Sequence, residues 1–144
     1  MHKNETTELL KECNSGIRMG IDSIDDVLPS VHSDRLRHVL EECRTTHQRL
    51  GTETHKLMSQ YGAEAEDPSL VAKGMSWLKT NIKMLAEPSD STVADLITDG
   101  CNMGVKSLNG YVNKYTGADP EAVRLAKQVI RSEEKLCADI REFL

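Results

Sequence analysis

The chain has 144 residues, a length that suits one domain with a hydrophobic core, and its formal net charge is −5. Lysines and arginines are scattered rather than clustered, which argues against a dedicated nucleic-acid-binding protein. No apolar run approaches the roughly 18 residues needed to span a bilayer, and the polar N-terminal segment lacks the apolar region of a signal peptide. We therefore predict a single cytoplasmic domain over residues 1–144 that binds neither nucleic acid nor membrane.

Cysteine and aromatic content narrow the fold class. The four cysteines form no CxxC pair, so in a reducing compartment we expect free thiols rather than disulfides. Aromatic residues make up only 3% of the chain. A core that has to be built from Leu, Ile, Val, Met, Ala and Cys suits packed helices better than a β-sandwich.

Hydrophobic periodicity predicts five amphipathic helices. Apolar residues recur at alternating steps of three and four, which is the spacing of one helix face. The predicted helices cover about residues 5–27, 34–61, 68–85, 92–115 and 120–144. Between them lie residues that start or stop helices, in chain order Pro29, Ser33 or Asp34, Gly62, Asp67-Pro68, Ser89 to Ser91, and Asp119-Pro120.

The lengths of helices and loops predict a topology. Short loops make the first two helices antiparallel, and likewise the last two. The third helix, at roughly 27 Å, is long enough to carry the chain back along the bundle, which makes the second and fourth helices parallel. The predicted fold class is therefore an all-α, ferritin-like up-down four-helix bundle with an additional crossover helix between the second and third long helices.

Four short segments carry a family resemblance. They read LLKECNSGIRMGIDSIDDV near the N-terminus, GMSWLK at 74–79, GCNMGVKSLNGYV at 100–112, and EEKLCADIREFL at the C-terminus. With these segments the chain resembles a ferritin-like four-helix-bundle family of uncharacterised bacterial proteins, a domain of unknown function. The resemblance supports the fold and implies no particular activity.

The metal-ligand positions of such bundles are degenerate in this sequence. Metal-binding ferritin-like proteins place a Glu on each of two helices and Glu-x-x-His on each of the other two. Here Arg44 stands three residues before His47, where a ligand is expected, and Glu134 is followed by Cys137 in the histidine position. The predicted helix at 92–115 contains no glutamate. We therefore expect no di-metal centre of the usual kind and no cofactor.

Each long helix carries one cysteine on its predicted apolar face. From the helix rise, three of them fall within roughly 5 Å of one level, and Cys13 lies about 9 Å away. One interpretation is a soft-metal or redox-linked site for zinc or iron. Its ligands would be Cys43, His47, Cys101, Glu133 and Cys137. The interpretation we favour is that the cysteines pack as small hydrophobes, while His47 and Glu133 hydrogen-bond each other or a buried water.

Glycines interrupt two predicted core faces. Gly16-x-x-x-Gly20 lies on the first helix and Gly100-x-x-x-Gly104 on the fourth. A glycine costs about 1 kcal/mol relative to alanine in a helix interior, so a compensating gain is expected. Close helix packing that fills in the metal layer is the interpretation we favour, and room for a small ligand is the alternative.

No sequence motif points to catalysis. The chain has no nucleophile elbow and no glycine-rich phosphate loop. We predict a non-enzymatic bundle that acts through protein association, with a protein partner or with itself, or in a stress-related role. The alternative is a metal-binding or redox-linked protein that uses the Cys/His/Glu layer.

Overall fold

The computed structural model describes residues 2–63 and 88–144, and all structural statements below concern these two ranges. They form four long helices: α1 (His2–Val27), α2 (Asp34–Gln60), α3 (Asp90–Lys114) and α4 (Pro120–Asp139). Short 3-10 turns follow α1 at Leu28–Ser30 and α4 at Arg141–Phe143. The predicted all-helical class is confirmed over the described part of the chain. The predicted crossover helix at about 68–85 lies outside it.

Helices α2, α3 and α4 begin at capping residues that the sequence predicts. Ser33 and Ser89 cap α2 and α3, and each hydroxyl accepts a hydrogen bond of 3.2 Å from the amide three residues on. Asp119 caps α4 by accepting from the amide two residues on, at 2.8 Å. Gly62 follows α2 with a φ of 69°, a left-handed conformation that ends a helix and that glycine adopts at little cost.

Two apolar clusters define the direction of each helix. One cluster joins the end of α1, the starts of α2 and α3 and the end of α4. The other joins the start of α1, the ends of α2 and α3 and the start of α4. Hence α1 and α4 run one way, and α2 and α3 run the other. The chain leaves α2 at one end of the bundle and enters α3 at the opposite end.

The four helices do not pack evenly. Helix α1 packs against each of the other three, and α4 packs against α1, α2 and α3. Helices α1 and α4 therefore face each other across the short diagonal of the bundle, and α2 and α3 lie at the two ends of the long diagonal. Among the described helices, none has a stretch long and apolar enough to cross a membrane.

The buried face of α4 agrees with the predicted one in part, since Ala126, Ile130, Glu133 and Ile140 are buried as predicted. Helical spacing continued over the predicted helix at about 120–144 also places Cys137 and Leu144 on this face, but Cys137 is only half-buried and Leu144 is 58% exposed. The buried positions of α4 include Ala122, Leu125, Val129 and Leu136. The prediction for Leu144 was wrong because α4 ends at Asp139, so the last residues no longer follow the helical spacing.

One carboxylate joins the starts of α2 and α3. Asp90 Oδ1 accepts a hydrogen bond of 2.7 Å from the backbone amide of His32, and its Oδ2 accepts one of 3.0 Å from that of Ser33. Asp90 is also in the first turn of α3, where the helix dipole stabilises a negative charge. The same side chain thus stabilises α3 and positions the N-cap of α2.

At the opposite end of the bundle, Asp119 joins α1, α2 and α4 through hydrogen bonds. Its backbone amide donates to Thr6 Oγ1 at 2.8 Å, and its carboxylate accepts from the Tyr61 hydroxyl at 2.6 Å. The hydrogen bond between these side chains lowers the pKa of Asp119 and raises the pKa of Tyr61. Helices α1, α2 and α4 are thereby joined at one point.

We expect Asp90→Ala to lower the free energy of unfolding by about 1–2 kcal/mol, because two backbone amides lose a charged acceptor. Chemical denaturation measures the change. Asp95→Ala is the matched control, since Asp95 is an exposed carboxylate on the same helix. Equal stability of the two variants would show that the Asp90 hydrogen bonds do not contribute.

Candidate functional site

His47 is the most deeply buried histidine in the described residues and lies between α2 and α4. Its side chain is 1% exposed, and its Nε2 is 3.6 Å from Glu133 Oε1. The other ring nitrogen, Nδ1, is 3.2 Å from the carbonyl oxygen of Cys43 and 3.3 Å from Ser132 Oγ. Cys43 Sγ lies 3.6 Å from the same nitrogen. His47 and Glu133 therefore face each other in the core, as the sequence predicts.

Burial and the contact between the two side chains shift both of their pKa values upward. Burial disfavours the imidazolium, but hydrogen bonds with Cys43 and Glu133 outweigh burial and raise the pKa of His47 to about 10. Burial raises the pKa of the Glu133 carboxyl, and the hydrogen bond with His47 offsets this only in part. As an imidazolium, His47 donates from Nδ1 to the Cys43 carbonyl oxygen, and its Nε2 faces Glu133 Oε1 at salt-bridge distance. With Glu133 ionised, the two opposite charges offset each other within the core.

Two glycines make room for this pair. A Cβ atom built on Gly20 would lie 2.9 Å from His47 Cδ2 and Nε2. A Cβ atom on Gly104 would lie 2.9 Å from Glu133 Cδ and would overlap Oε2. Real Cβ atoms essentially never approach other atoms this closely, so a side chain at either position would displace the pair. Glycine on α1 and α3 thus leaves the space that the polar side chains of α2 and α4 occupy.

The predicted close packing at the glycines holds at Gly20 and Gly104 but not at Gly16 and Gly100. A Cβ atom on Gly100 would meet nothing within 4 Å, and one on Gly16 would meet only Leu108 Cδ1 at 3.8 Å, an ordinary contact. Gly20 and Gly104 face side chains of α2 and α4 rather than a neighbouring backbone. What offsets the lost helix propensity at Gly20 and Gly104 is the space that these glycines leave for the polar side chains of His47 and Glu133.

A cleft of about 330 Å³ opens between α1 and α3 beside these glycines. Its two walls come from α1 and α3, and its floor comes from α2 and α4. Apolar side chains of the walls include Met19, Ile24, Ile97 and Leu108. The floor contains Cys43, His47 and Glu133. Met103 of α3 also lines the cleft and is 62% exposed, so the cleft reaches the surface.

Burial keeps two of the core thiols, Cys101 and Cys13, protonated at neutral pH. Burial, together with the charge of Glu133, raises the pKa of the Cys101 thiol well above its ordinary value. Burial and the carboxylate of Glu12 raise the pKa of the Cys13 thiol to about 12, and Cys13 belongs to the opposite apolar cluster. A protonated thiol is a poor nucleophile and a poor metal ligand.

The five candidate metal ligands meet only in part. Cys43, His47 and Glu133 are brought together, and Cys101 lines the same cleft from α3. Cys137 is half-buried, and its thiol contacts Asn102 Oδ1 at 3.7 Å instead. Within the described ranges, no three His, Cys, Asp or Glu side chains are arranged to hold a metal ion.

Sequence reasoning missed residues whose importance depends on three-dimensional neighbours. Ser132 contacts both His47 Nδ1 and Cys43 Sγ, the latter at 3.6 Å, but lies beside rather than on the predicted apolar face of α4. Met19 and Met103 line the cleft from opposite walls, although neither belongs to a core stripe. The sequence pattern that indicated the position of the cleft was the spacing of glycines on two helices.

Gly104→Ala and Gly110→Ala should change stability in opposite directions. A Cβ on Gly110 would meet nothing within 4 Å, so the gain in helix propensity should raise the free energy of unfolding by about 0.5–1 kcal/mol. The same change at position 104 pushes Glu133 away from His47, and we expect a net loss of about 1–2 kcal/mol. Thermal and urea denaturation measure both. A stabilised Gly104→Ala protein would contradict the tight fit at Glu133.

The stability of the protein should fall as the pH rises above 6.5. The folded-state pKa of His47, about 10, exceeds the ordinary value of 6.5, so its contribution is complete below 6.5 and is lost as the pH rises toward 10. Between pH 6.5 and about 8.5, the native protein should lose roughly 2 kcal/mol more than a His47→Gln variant. His38→Gln, at an exposed histidine, should behave like the native protein. Parallel pH profiles for the native and His47→Gln proteins would contradict the raised pKa.

Comparison with protein-family models, curated proteins and solved structures finds no match to this chain. The ferritin-like resemblance therefore stays a prediction. The residues of the cleft and its floor are the observations that bear on function.

Proposed function

We propose that the protein is a non-enzymatic helical bundle that binds a small, mostly apolar molecule in the cleft between α1 and α3. The observation that carries the proposal is the cleft itself, with its apolar walls and a buried polar pair on its floor. Ligand sites in proteins are typically concave and apolar, with a few polar groups that orient the ligand. The cleft volume of about 330 Å³ is at the small end of such sites, and equals that of about eleven water molecules in the liquid.

The glycines support this proposal because they leave the cleft open at a cost. Four of them, Gly16, Gly20, Gly100 and Gly104, line it from both walls. Two make room for His47 and Glu133, but Gly100 faces open space. An apolar surface with no atoms packed against it forfeits dispersion contacts. A bound ligand restores these contacts and stabilises the folded state by mass action.

The chemistry of the floor favours binding over catalysis. The Cys101 thiol is protonated at neutral pH, so it is not poised as a nucleophile. Cys43 and Gly104 lie in the interiors of α2 and α3, where backbone amides are used by the helix itself. Oxyanion holes depend on free amide or side-chain donors, and helix interiors do not supply the amides.

The wider architecture we propose is the ferritin-like bundle, with its metal layer replaced by the His47–Glu133 pair. The parallel directions of α2 and α3 support it, because they require the chain to cross from one end of the bundle to the other. The metal-binding alternative is less well supported, since Cys137 faces Asn102 rather than the other candidate ligands. Protein association and a stress-related role stay predictions. In either role, binding of the ligand would be the signal to which the protein responds.

The probe we choose for the test is 4-ethyltoluene, an uncharged hydrocarbon that fits the cleft. We expect it to shift the backbone amide NMR signals of those residues of α1 and α3 that line the cleft, and to raise the melting temperature of the protein. Gly100→Leu should abolish binding by filling the cleft, while the helical circular dichroism signal is retained. Gly110→Leu is the matched control on α3, because Gly110 also faces open space but does not line this cleft.

Two results would count against the proposal. One is the absence of any NMR shift at saturating 4-ethyltoluene. The other is equal binding by the Gly100→Leu and Gly110→Leu proteins, which would place the hydrocarbon elsewhere on the surface.

A further inference from the structure

One oxygen of Glu133 is without a hydrogen-bond partner in the described residues. The Glu133 side chain is 9% exposed, and its Oε1 faces His47 Nε2 at 3.6 Å. Its Oε2 is buried and makes no hydrogen bond. It lies against Gly104, which lines the cleft together with Glu133. A buried carboxylate oxygen with no donor is costly, because the hydration it had in water is not replaced.

The surroundings of Oε2 indicate which group would satisfy it. His47 does not donate to Oε2, because its Nε2 faces Glu133 Oε1 and its Nδ1 contacts the Cys43 carbonyl oxygen and Ser132 Oγ. The thiol of Cys101 lines the cleft but is a weak donor. Oε2 itself has almost no accessible surface, so a donor from the cleft reaches it when the Glu133 side chain turns toward the glycine face of α3.

We infer that the ligand of this cleft is an uncharged molecule with an apolar body and one hydrogen-bond donor, such as a hydroxyl, directed at Glu133 Oε2. The inference rests on the proposed function, since it names the class of molecule that the cleft takes. The donor supplies the hydrogen bond that Oε2 does not make, and the apolar body packs between the walls of α1 and α3.

The charge of the floor explains why the ligand is neutral. With both side chains ionised, His47 and Glu133 carry one positive and one negative charge, so the floor has no net charge. The carboxylate of Glu12, on the α1 wall of the cleft, is engaged by the Tyr111 hydroxyl. A cationic head group would leave an uncompensated positive charge in the core, and a carboxylate would meet Glu133 directly. Both arrangements cost more than a neutral donor, because charges in low dielectric are expensive unless they are paired.

The test compares 4-ethylphenol with 4-ethyltoluene, which differ by a hydroxyl in place of a methyl group. Removing a hydroxyl from water without a new hydrogen bond is unfavourable, so a site without an acceptor prefers the hydrocarbon. In the native protein we expect 4-ethylphenol to bind about tenfold more tightly, as a hydrogen bond to a charged acceptor allows. In Glu133→Met, which removes the acceptor and keeps an unbranched side chain, the order should reverse. Titration calorimetry or NMR measures both affinities.

The outcomes separate this inference from the proposed function. If neither compound binds the native protein, the proposed function itself fails. If 4-ethyltoluene binds as tightly as 4-ethylphenol or more tightly, the cleft is a ligand site but the donor inference is overturned. The same holds if 4-ethylbenzylamine binds the native protein most tightly, since the site would then take a cation. A preference for 4-ethylphenol that persists in Glu133→Met also overturns it, and the native comparison alone decides the matter if that variant does not fold.

Discussion

The ion pair between His47 and Glu133 is the constraint on which the centre of this bundle depends. Two charged side chains lie 1% and 9% exposed between α2 and α4, where each would be unstable alone. Removing one partner of such a pair typically costs about 3–5 kcal/mol, because the other charge is left unpaired in the core. The two helices are therefore held at one relative height, since sliding either by a turn would separate the charges.

The opposite pair of helices adapts to these side chains. Leucine or alanine at positions 20 and 104 would collide with His47 and Glu133, so α1 and α3 carry glycine there and lose helix propensity. Once glycine lines both walls, the bundle does not close over the pair, and a cleft remains. The apolar clusters at the two ends provide the stability that the centre does not. The cleft is thus a consequence of burying a charged pair inside a narrow bundle.

The sequence predicts the helices well and the site only in outline. Ser33, Ser89 and Asp119 act through local hydrogen bonds to amides two or three residues on, so their capping roles can be read from neighbouring residues. His47 and Glu133 were predicted to hydrogen-bond each other or a buried water, because both lie on apolar stripes at about the same height. What Gly104 faces could not be predicted, since the atom it accommodates belongs to another helix and depends on a rotamer. The exposure of Leu144 was missed because helical periodicity does not say where a helix ends.

A bundle that buries a histidine and a glutamate at its centre resembles a metal-binding bundle in composition but differs in electrostatics. In a metal centre, several carboxylates balance the charge of the cations, so the protein alone carries excess negative charge. Here one imidazole faces one carboxyl group, and the raised pKa of His47 keeps the imidazole protonated near neutral pH. A second cation would have to displace the His47 proton before it could share Glu133. The charge that a metal ion would supply is already present in the chain, and this favours an uncharged occupant of the neighbouring space.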